Sequence, residues 1–370
     1  METLFVITSL FILYTYIGYP LILLAVTRGK KRQPDLQYQS SPRISLLIPV
    51  YNEQEVIVAK LKNALALDYP EGKLEIVVAS DGSTDRTVEL VRPFLSRAVR
   101  LEAHPEHRGK MSTINRSVAG LSGEIIVFTD ASAFFPPETL KTLIQGFPDP
   151  AVGAVSGSLI LKEEAAGGGE LSVDWYWRME KFIRERESLL SSTVGATGAI
   201  WALRRELFSP LPDDTILDDF LLPLTPVRQG YRVQFESRAL AYEENRTDLR
   251  GEFRRKVRTL TGNYQAFSRA RWLFRSKISF QLISHKLCRL FIPFALIGLL
   301  ISSWFGPPAL RPVFYLQVIC YALAVVGLLI IVRGRKPGKL LSVPLTFCLL
   351  NGAALKAFFV YCLARRRPVW

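Results

Sequence analysis

Four sets of carboxylates in this sequence stand where apolar runs stop. Glu53 follows the run Arg43 to Val50, Asp81 follows Leu74 to Ala79, and Asp130 ends the run Glu124 to Thr129. Asp218-Asp219 follows Ile216-Leu217 and is itself followed by Phe220-Leu221-Leu222. Glu53 and Asp81 together can accept the N–H groups of a base or the hydroxyls of a ribose, although Asp81-Gly82-Ser83 alone reads equally as a turn. Asp130 can cap a helix, or it can ligate a hard divalent cation that bridges to phosphates through one or two carboxylates and water. Ser132, two residues on, can orient such a water or ligate weakly. Arg108-Gly109-Lys110 opens a helical segment reaching Asn115. Basic side chains beside outward-pointing N–H groups there suit a phosphate, and a solvated turn is the competing reading. Asp218-Asp219 reads as a solvated helix start or, partly buried by its apolar neighbours, as a general base for a hydroxyl. Arg255 and Arg258, three apart, share one helix face that can clamp a diphosphate or simply solvate.

The elements that must position these residues alternate in type. Helical patterns run from about Glu55 to Ala66, Thr84 to Phe94 and Lys110 to Ala119, between the strand-like runs above and a weaker one at Val99 to Ala103. Strands alternating with helices imply an α/β domain with a mixed, mainly parallel sheet covered on both faces. Ligands of such sheets bind beyond the C-terminal strand ends, where Glu53, Asp81 and Asp130 fall.

Around this patterned middle the composition changes. The 370 residues are 49% hydrophobic, and Thr3 to Thr27, Leu290 to Leu310, Val313 to Val332 and Leu340 to Leu355 contain no charged residue. Runs near 20 apolar residues are long enough to cross a bilayer as helices. The expected organisation is a first membrane helix at 1–27, a globular domain at 28–275, and an interfacial helix with about three membrane segments at 276–370. Arg28, Lys30, Lys31 and Arg32 follow the first helix, and Arg333, Arg335, Lys336 and Lys339 separate two later runs. By the positive-inside rule the globular domain faces the cytoplasm of a multi-pass protein of the cell membrane. The net charge of +14 therefore suits anionic headgroups; no nucleic-acid-binding module accompanies it. All four cysteines, Cys288, Cys320, Cys348 and Cys362, lie in the C-terminal region, which excludes a disulfide framework in the globular domain. Trp175, Tyr176 and Trp177 fall in an amphipathic stretch whose default is core packing.

Taken in order, these motifs resemble family 2 glycosyltransferases, the GT-A group that includes cellulose, chitin and hyaluronan synthases. The resemblance covers roughly Ser41 to Arg271. It implies an inverting transferase that moves a sugar from a nucleotide-sugar, by default a UDP-sugar, with Mg2+ or Mn2+. Pro49, Tyr51 and Glu53 would lie beside the nucleotide, Asp81 on the uracil side, and Lys110 near the donor. Asp130-Ala131-Ser132 matches the Asp-x-Asp metal motif with Ser132 replacing the second Asp. Gly195, Thr197 and Gly198 fall in the acceptor-side segment. Leu217-Asp218-Asp219 aligns with Thr/Ser-Glu-Asp, making Asp219 the implied base and Asp218 its catalytic neighbour. Arg255 to Thr259 aligns with the Gln/Arg-x-x-Arg-Trp motif of processive synthases: Arg255 and Arg258 would meet the diphosphate, and Thr259 stands where the acceptor-bordering Trp is usual. The implied acceptor is a growing glycan or, nearly as well supported, a membrane lipid receiving one sugar. Membrane lipids and a homo-oligomer or secretion partners complete the expected surroundings; an inactive scaffold is the remote alternative.

Overall fold

The computed structural model describes residues 1–30, 41–162, 173–244 and 249–363, with no side chain described at 162 or 173–177; Trp175, Tyr176 and Trp177 thus lie outside the described side chains. The strands are β1 (Ile44–Val50), β2 (Leu74–Asp81), β3 (Val99–His104), β4 (Ile125–Phe128), β5 (Val152–Lys162), β6 (Trp201–Arg204) and β7 (Arg232–Glu244). The helices are α1 (Glu2–Val26), α2 (Ile57–Leu65), α3 (Thr87–Val91), α4 (Lys110–Val118), α5 (Thr139–Ile144), α6 (Val173–Leu190), α7 (Asp218–Leu221), α8 (Leu249–Arg269), α9 (Ser279–Phe305), α10 (Pro308–Val332) and α11 (Lys339–Leu363). Two compact units result: one holds Gly29–Lys162 and Glu187–Asn245, the other Met1–Arg28, Glu163–Arg186 and Arg246–Trp370.

The first unit is built on one seven-stranded sheet of order β3-β2-β1-β4-β6-β5-β7. Pairs β1–β2, β1–β4 and β2–β3 are parallel, as are β5 and β7, while β6 runs antiparallel to both neighbours. The central strands are apolar on both faces because both faces are covered: Ile44, Leu46, Leu47 and Ile48 of β1 and Ile126 and Val127 of β4 are fully buried, as parallel strands require. The reversed β6 is pinned to β4 by a cross-strand pair. Phe128 lies opposite Trp201, with ring centroids 4.1 Å apart and planes 9° from parallel. A stack of this kind contributes about 0.5–1.5 kcal/mol beyond burial. It fixes the segment that precedes β6, which includes Gly195 to Ile200.

The second unit contains four helices long and apolar enough to cross a bilayer: α1, α9, α10 and α11. They place the chain at a membrane. Helix α11 continues from Lys339 to Leu363 through Pro344. Helix α8, which carries Arg254, Arg255, Lys256 and Arg258, packs along it: Lys356 lies over the Phe253 ring, and Tyr264 meets Phe358 and Tyr361. Within the same unit Glu180 of α6 is buried among cations. Its carboxylate meets Lys286 Nζ at 3.0 Å, Arg289 Nη1 at 2.8 Å, Arg184 Nε at 3.3 Å and His285 Nε2 at 3.0 Å. Burial opposes ionisation, but His285, Lys286 and Arg289 outweigh it and hold the carboxyl well below its usual range. Removing this acid takes away the counter-charge that His285, Lys286 and Arg289 share, and breaking a buried pair of this kind typically costs about 3–5 kcal/mol. Glu180→Gln is expected to lower the thermal midpoint of the protein in detergent accordingly; an unchanged midpoint would mean that water, not Glu180, neutralises the cluster.

Candidate active site

The C-terminal ends of β1, β2 and β4 lie side by side, and the loops leaving them are tied together. Beyond β1, Asn52 takes the left-handed conformation (φ 54°), one that Asn tolerates better than most residues because its short polar side chain can bond locally. Its Oδ1 accepts the N–H of Thr84 at 2.8 Å, and its own N–H donates to Ser83 Oγ at 3.1 Å. The Glu53 N–H donates to Thr87 Oγ1 at 2.8 Å. Glu53 itself faces other acids. Burial, then the charges of Asp130, Asp85 and Glu243, push its carboxyl above the usual range.

Asp81 is almost fully enclosed by the loop before α4. Its Oδ1 accepts the Arg108 N–H at 3.0 Å, its Oδ2 accepts the Gly109 N–H at 2.7 Å, and His107 Nδ1 lies 2.8 Å from Oδ2. Burial alone would raise its pKa; the N–H groups of Arg108 and Gly109, Thr113 and His107 more than offset that and hold it low. Gly109, at φ 101°, gives the backbone the conformation that delivers both N–H groups, one that glycine adopts freely.

Lys110, the first residue of α4, gathers three segments. Its ammonium lies 2.8 Å from Asp130 Oδ1 and 3.1 Å from Asp218 Oδ2. Burial would depress its pKa, but Asp130 and Asp218 raise it well above the ordinary lysine value. Further along α4, Ser112 Oγ donates to Asp213 Oδ2 at 3.0 Å, and Asn115 Nδ2 donates to Leu211 O at 2.7 Å and Asp213 Oδ1 at 3.0 Å. The Lys110–Asn115 segment thus holds the stretch leading into α7, which begins with Asp218 and Asp219. Asp219 is locked to the acceptor-side segment in turn. Its carbonyl accepts the Ala196 N–H at 2.8 Å, and its Oδ2 accepts the Gly198 N–H at 3.1 Å. Gly198 has no room for a side chain, since a Cβ there would come within 2.9 Å of Asp130 Oδ2 and 3.3 Å of Asp219 Oδ2. Gly195, at φ 83°, is packed against Phe220.

Asp81, Lys110, Asp130, Asp218, Asp219 and Gly198 are therefore brought together, with Pro49, Tyr51 and Glu53 at the adjoining end of β1. Thr197 O accepts the Ile200 N–H at 3.2 Å in the turn entering β6. Arg255, Arg258 and Thr259 belong to α8 in the other unit. There Arg255 Nη2 pairs with Glu252 at 2.7 Å, and the Thr259 hydroxyl donates to Arg255 O at 3.0 Å. Among the described residues no three His, Cys, Asp or Glu side chains are grouped to hold a metal by themselves. Asp130 nonetheless suits a cation held largely by a ligand's phosphates and water, and the Lys110 ammonium already stands as a cation between Asp130 and Asp218. Ser132 Oγ donates to Glu243 Oε1 at 2.9 Å, so a second acid from β7 reaches the position at which the motif has serine.

With this geometry in view, comparison with known proteins is decisive. The profile of Glycosyl transferase family 2 matches residues 45–211. The chain carries a family 2 glycosyltransferase domain. Poly-beta-1,6-N-acetyl-D-glucosamine synthases of Staphylococcus aureus (strain COL) and Staphylococcus epidermidis are each 25% identical to it, over 246 and 244 residues, or 64% of this chain. The chain spans 58% of the length of these relatives. A mannosyltransferase from Pyrobaculum calidifontis, solved with GDP-Man and Mn2+, superposes with a TM-score of 0.74 at 25% identity and covers 98% of this chain and 100% of its own. The fold of the sheet unit is GT-A.

Three neighbours of this candidate site stand outside the sequence motifs or within another pattern. His107 and Glu243 stand outside the motifs and carry no periodic signal. Lys60 had one, for it occupies an apolar stripe with Ile57, Leu61 and Ala64 on α2. It is fully buried beneath the Asp130 turn, donating to Thr129 Oγ1 at 2.9 Å and to the Ala133 carbonyl. Burial lowers its pKa from 10.5 to about 7, against the opposing pull of Asp130. Between those values the unfolded chain keeps the proton that the folded one releases, so stability rises with pH across this window. The thermal midpoint of the wild type relative to Lys60→Met is expected to rise from pH 7 to 10; a constant difference would show that Lys60 keeps its proton in the folded state.

Proposed function

We propose that the chain is an inverting glycosyltransferase that moves a sugar from a nucleotide-sugar, by preference a UDP-sugar, onto a glycan at the cytoplasmic face of a membrane, in polysaccharide synthesis. The observation that carries this reading is the Lys110-centred cluster, which sets Asp219 beside Asp130 at the mouth of a GT-A sheet. Asp219 is the base. With Oδ2 oriented by the Gly198 N–H, its carboxylate takes the proton of the acceptor hydroxyl as that oxygen attacks the anomeric carbon. The bond to the diphosphate breaks on the opposite side, and the configuration inverts. Lys110 pairs with Asp130 and Asp218 and contributes positive charge where the leaving diphosphate becomes more negative. The motif resemblance assigns Arg255 and Arg258 to the same leaving group. A bound Mg2+ or Mn2+, held by Asp130, would supply further charge neutralisation to the diphosphate. The basic residues after α1 and between α10 and α11 support a cytoplasmic domain by the positive-inside rule.

A second reading, transfer of one sugar to a membrane lipid, has its own support. Thr259 replaces the tryptophan of processive enzymes, and the structural neighbour is named a mannosyltransferase where the sequence relatives are named polymer synthases. The neighbour's GDP-Man makes GDP-sugars the donors to test beside UDP-sugars.

Nucleoside diphosphate release by the purified protein in lipid, across UDP- and GDP-sugars with Mn2+, is expected with one donor, and product size separates glycan from glycolipid. Asp219→Asn should reduce turnover at least about 1000-fold, the scale on which loss of an acid–base group acts, with nucleotide affinity within about twofold of wild type; a comparable loss of affinity would remove it from the base role. Asp130→Asn should abolish the dependence of UDP or GDP affinity on Mn2+, and an unchanged metal response would take Asp130 out of the metal site.

A further inference from the structure

At the strand ends the aromatic side chain of His107 touches both Asp81 and Tyr51. Its ring stacks on Tyr51 with centroids 3.8 Å apart and planes 22° from parallel. Its Nδ1 lies 2.8 Å from Asp81 Oδ2 and 3.2 Å from the Asp81 carbonyl. Both partners are acceptors, so Nδ1 carries the proton and donates. A flat heteroaromatic ring that stacks on tyrosine while an in-plane N–H meets a carboxylate has the two interactions by which a nucleobase is held. The side chain is 36% exposed, whereas Asp81 is 4% exposed, so the imidazole forms the outer layer over an enclosed acid.

The backbone beneath this ring is fixed. A Cβ on Gly82 would collide with the His107 nitrogen and the Glu106 carbonyl carbon, so the loop is pressed directly onto the strand end. The next two N–H groups, of Arg108 and Gly109, are bound to Asp81. The imidazole can leave by rotation of its own side chain while the loop stays in place. Its departure frees one acceptor position on Asp81 Oδ2 and one face of Tyr51, and leaves the two backbone hydrogen bonds of Asp81 intact.

We propose that His107 is an internal stand-in for the nucleobase: it occupies the base position in the unliganded transferase and must swing out before a nucleotide-sugar binds. The inference rests on the nucleotide-sugar reading of the site given above. Donor affinity is then reduced by the fraction of molecules in which the imidazole is in place, and the position selects for bases with an N–H able to replace that of Nδ1. Phosphate binding is untouched, because nothing on the phosphate side moves.

Calorimetric titration of the full-length protein in lipid nanodiscs tests this, with UDP, GDP and inorganic pyrophosphate as probes, each with Mn2+. His107→Ala is expected to bind the preferred nucleoside diphosphate about three- to tenfold more tightly, the gain that follows when a blocking state populated at roughly 70–90% is removed. Pyrophosphate affinity should stay the same. His107→Phe keeps the stack but loses the N–H, and should fall between wild type and His107→Ala; it also serves should the alanine variant fail to fold. Unchanged or weaker nucleotide binding by the variants, or a gain that extends to pyrophosphate, would overturn the stand-in role and leave the transferase reading standing. Absence of nucleotide binding in wild type and variants alike would overturn both.

Discussion

Three aspartates cannot share one small space without a cation among them, and in this protein the cation is the ammonium of Lys110. Asp130 arrives from the end of β4, and Asp218 and Asp219 from the short helix α7, nearly ninety positions later in the chain. Adjacent carboxylates at these distances repel strongly where water is scarce. Lys110 reverses the sign of that interaction by pairing with two of them at once. Its own position is set by Asp81, which draws the Arg108 and Gly109 N–H groups onto the end of β2 and so starts α4 where it does. The chain of dependence runs from a buried acid to a loop, from the loop to a lysine, and from the lysine to the three acids.

Much of this arrangement was legible before any coordinates. Acids at the ends of consecutive apolar runs, separated by helical patterns, predict a parallel sheet with its site at the strand ends, and β1, β2 and β4 are found side by side there. The helix opening at Lys110 and the clustering of Asp130 with Asp218 and Asp219 follow from motif order. Less visible was how the sheet is completed. The reversed β6 is only four residues long, and its pairing with β4 includes a ring stack, Phe128 on Trp201, that no period announces. The inner shell was hidden for a similar reason. His107 and Glu243 act through long-range contacts to residues 26 and 111 positions away, and side chains that meet only on folding leave no spacing to read. Lys60 is the exception, because a lysine within an apolar helical stripe is itself a signal of a buried polar partner.

The helical unit uses charge in the opposite proportion. Where the strand-end cluster sets Lys110 among acids, the helical unit sets Glu180 among Arg184, His285, Lys286 and Arg289. Both are economical solutions to the same constraint: a buried charge is tolerated only beside its opposite. In the second case the pairing joins α6 to the start of α9, so an electrostatic contact ties an apolar helix to a polar one.

The environment of Lys60 has a consequence of a different kind. An amine whose pKa lies near 7 is largely nucleophilic in ordinary buffers, yet this one is walled off by α2, β4 and the turn that carries Asp130. Acylating reagents, which modify exposed lysines within minutes, can reach it only when α2 parts from the sheet. The yield of a modified Lys60-containing peptide is therefore a chemical clock for opening beneath the Asp130 turn, recorded by mass spectrometry in intact membranes without any knowledge of the sugar transferred.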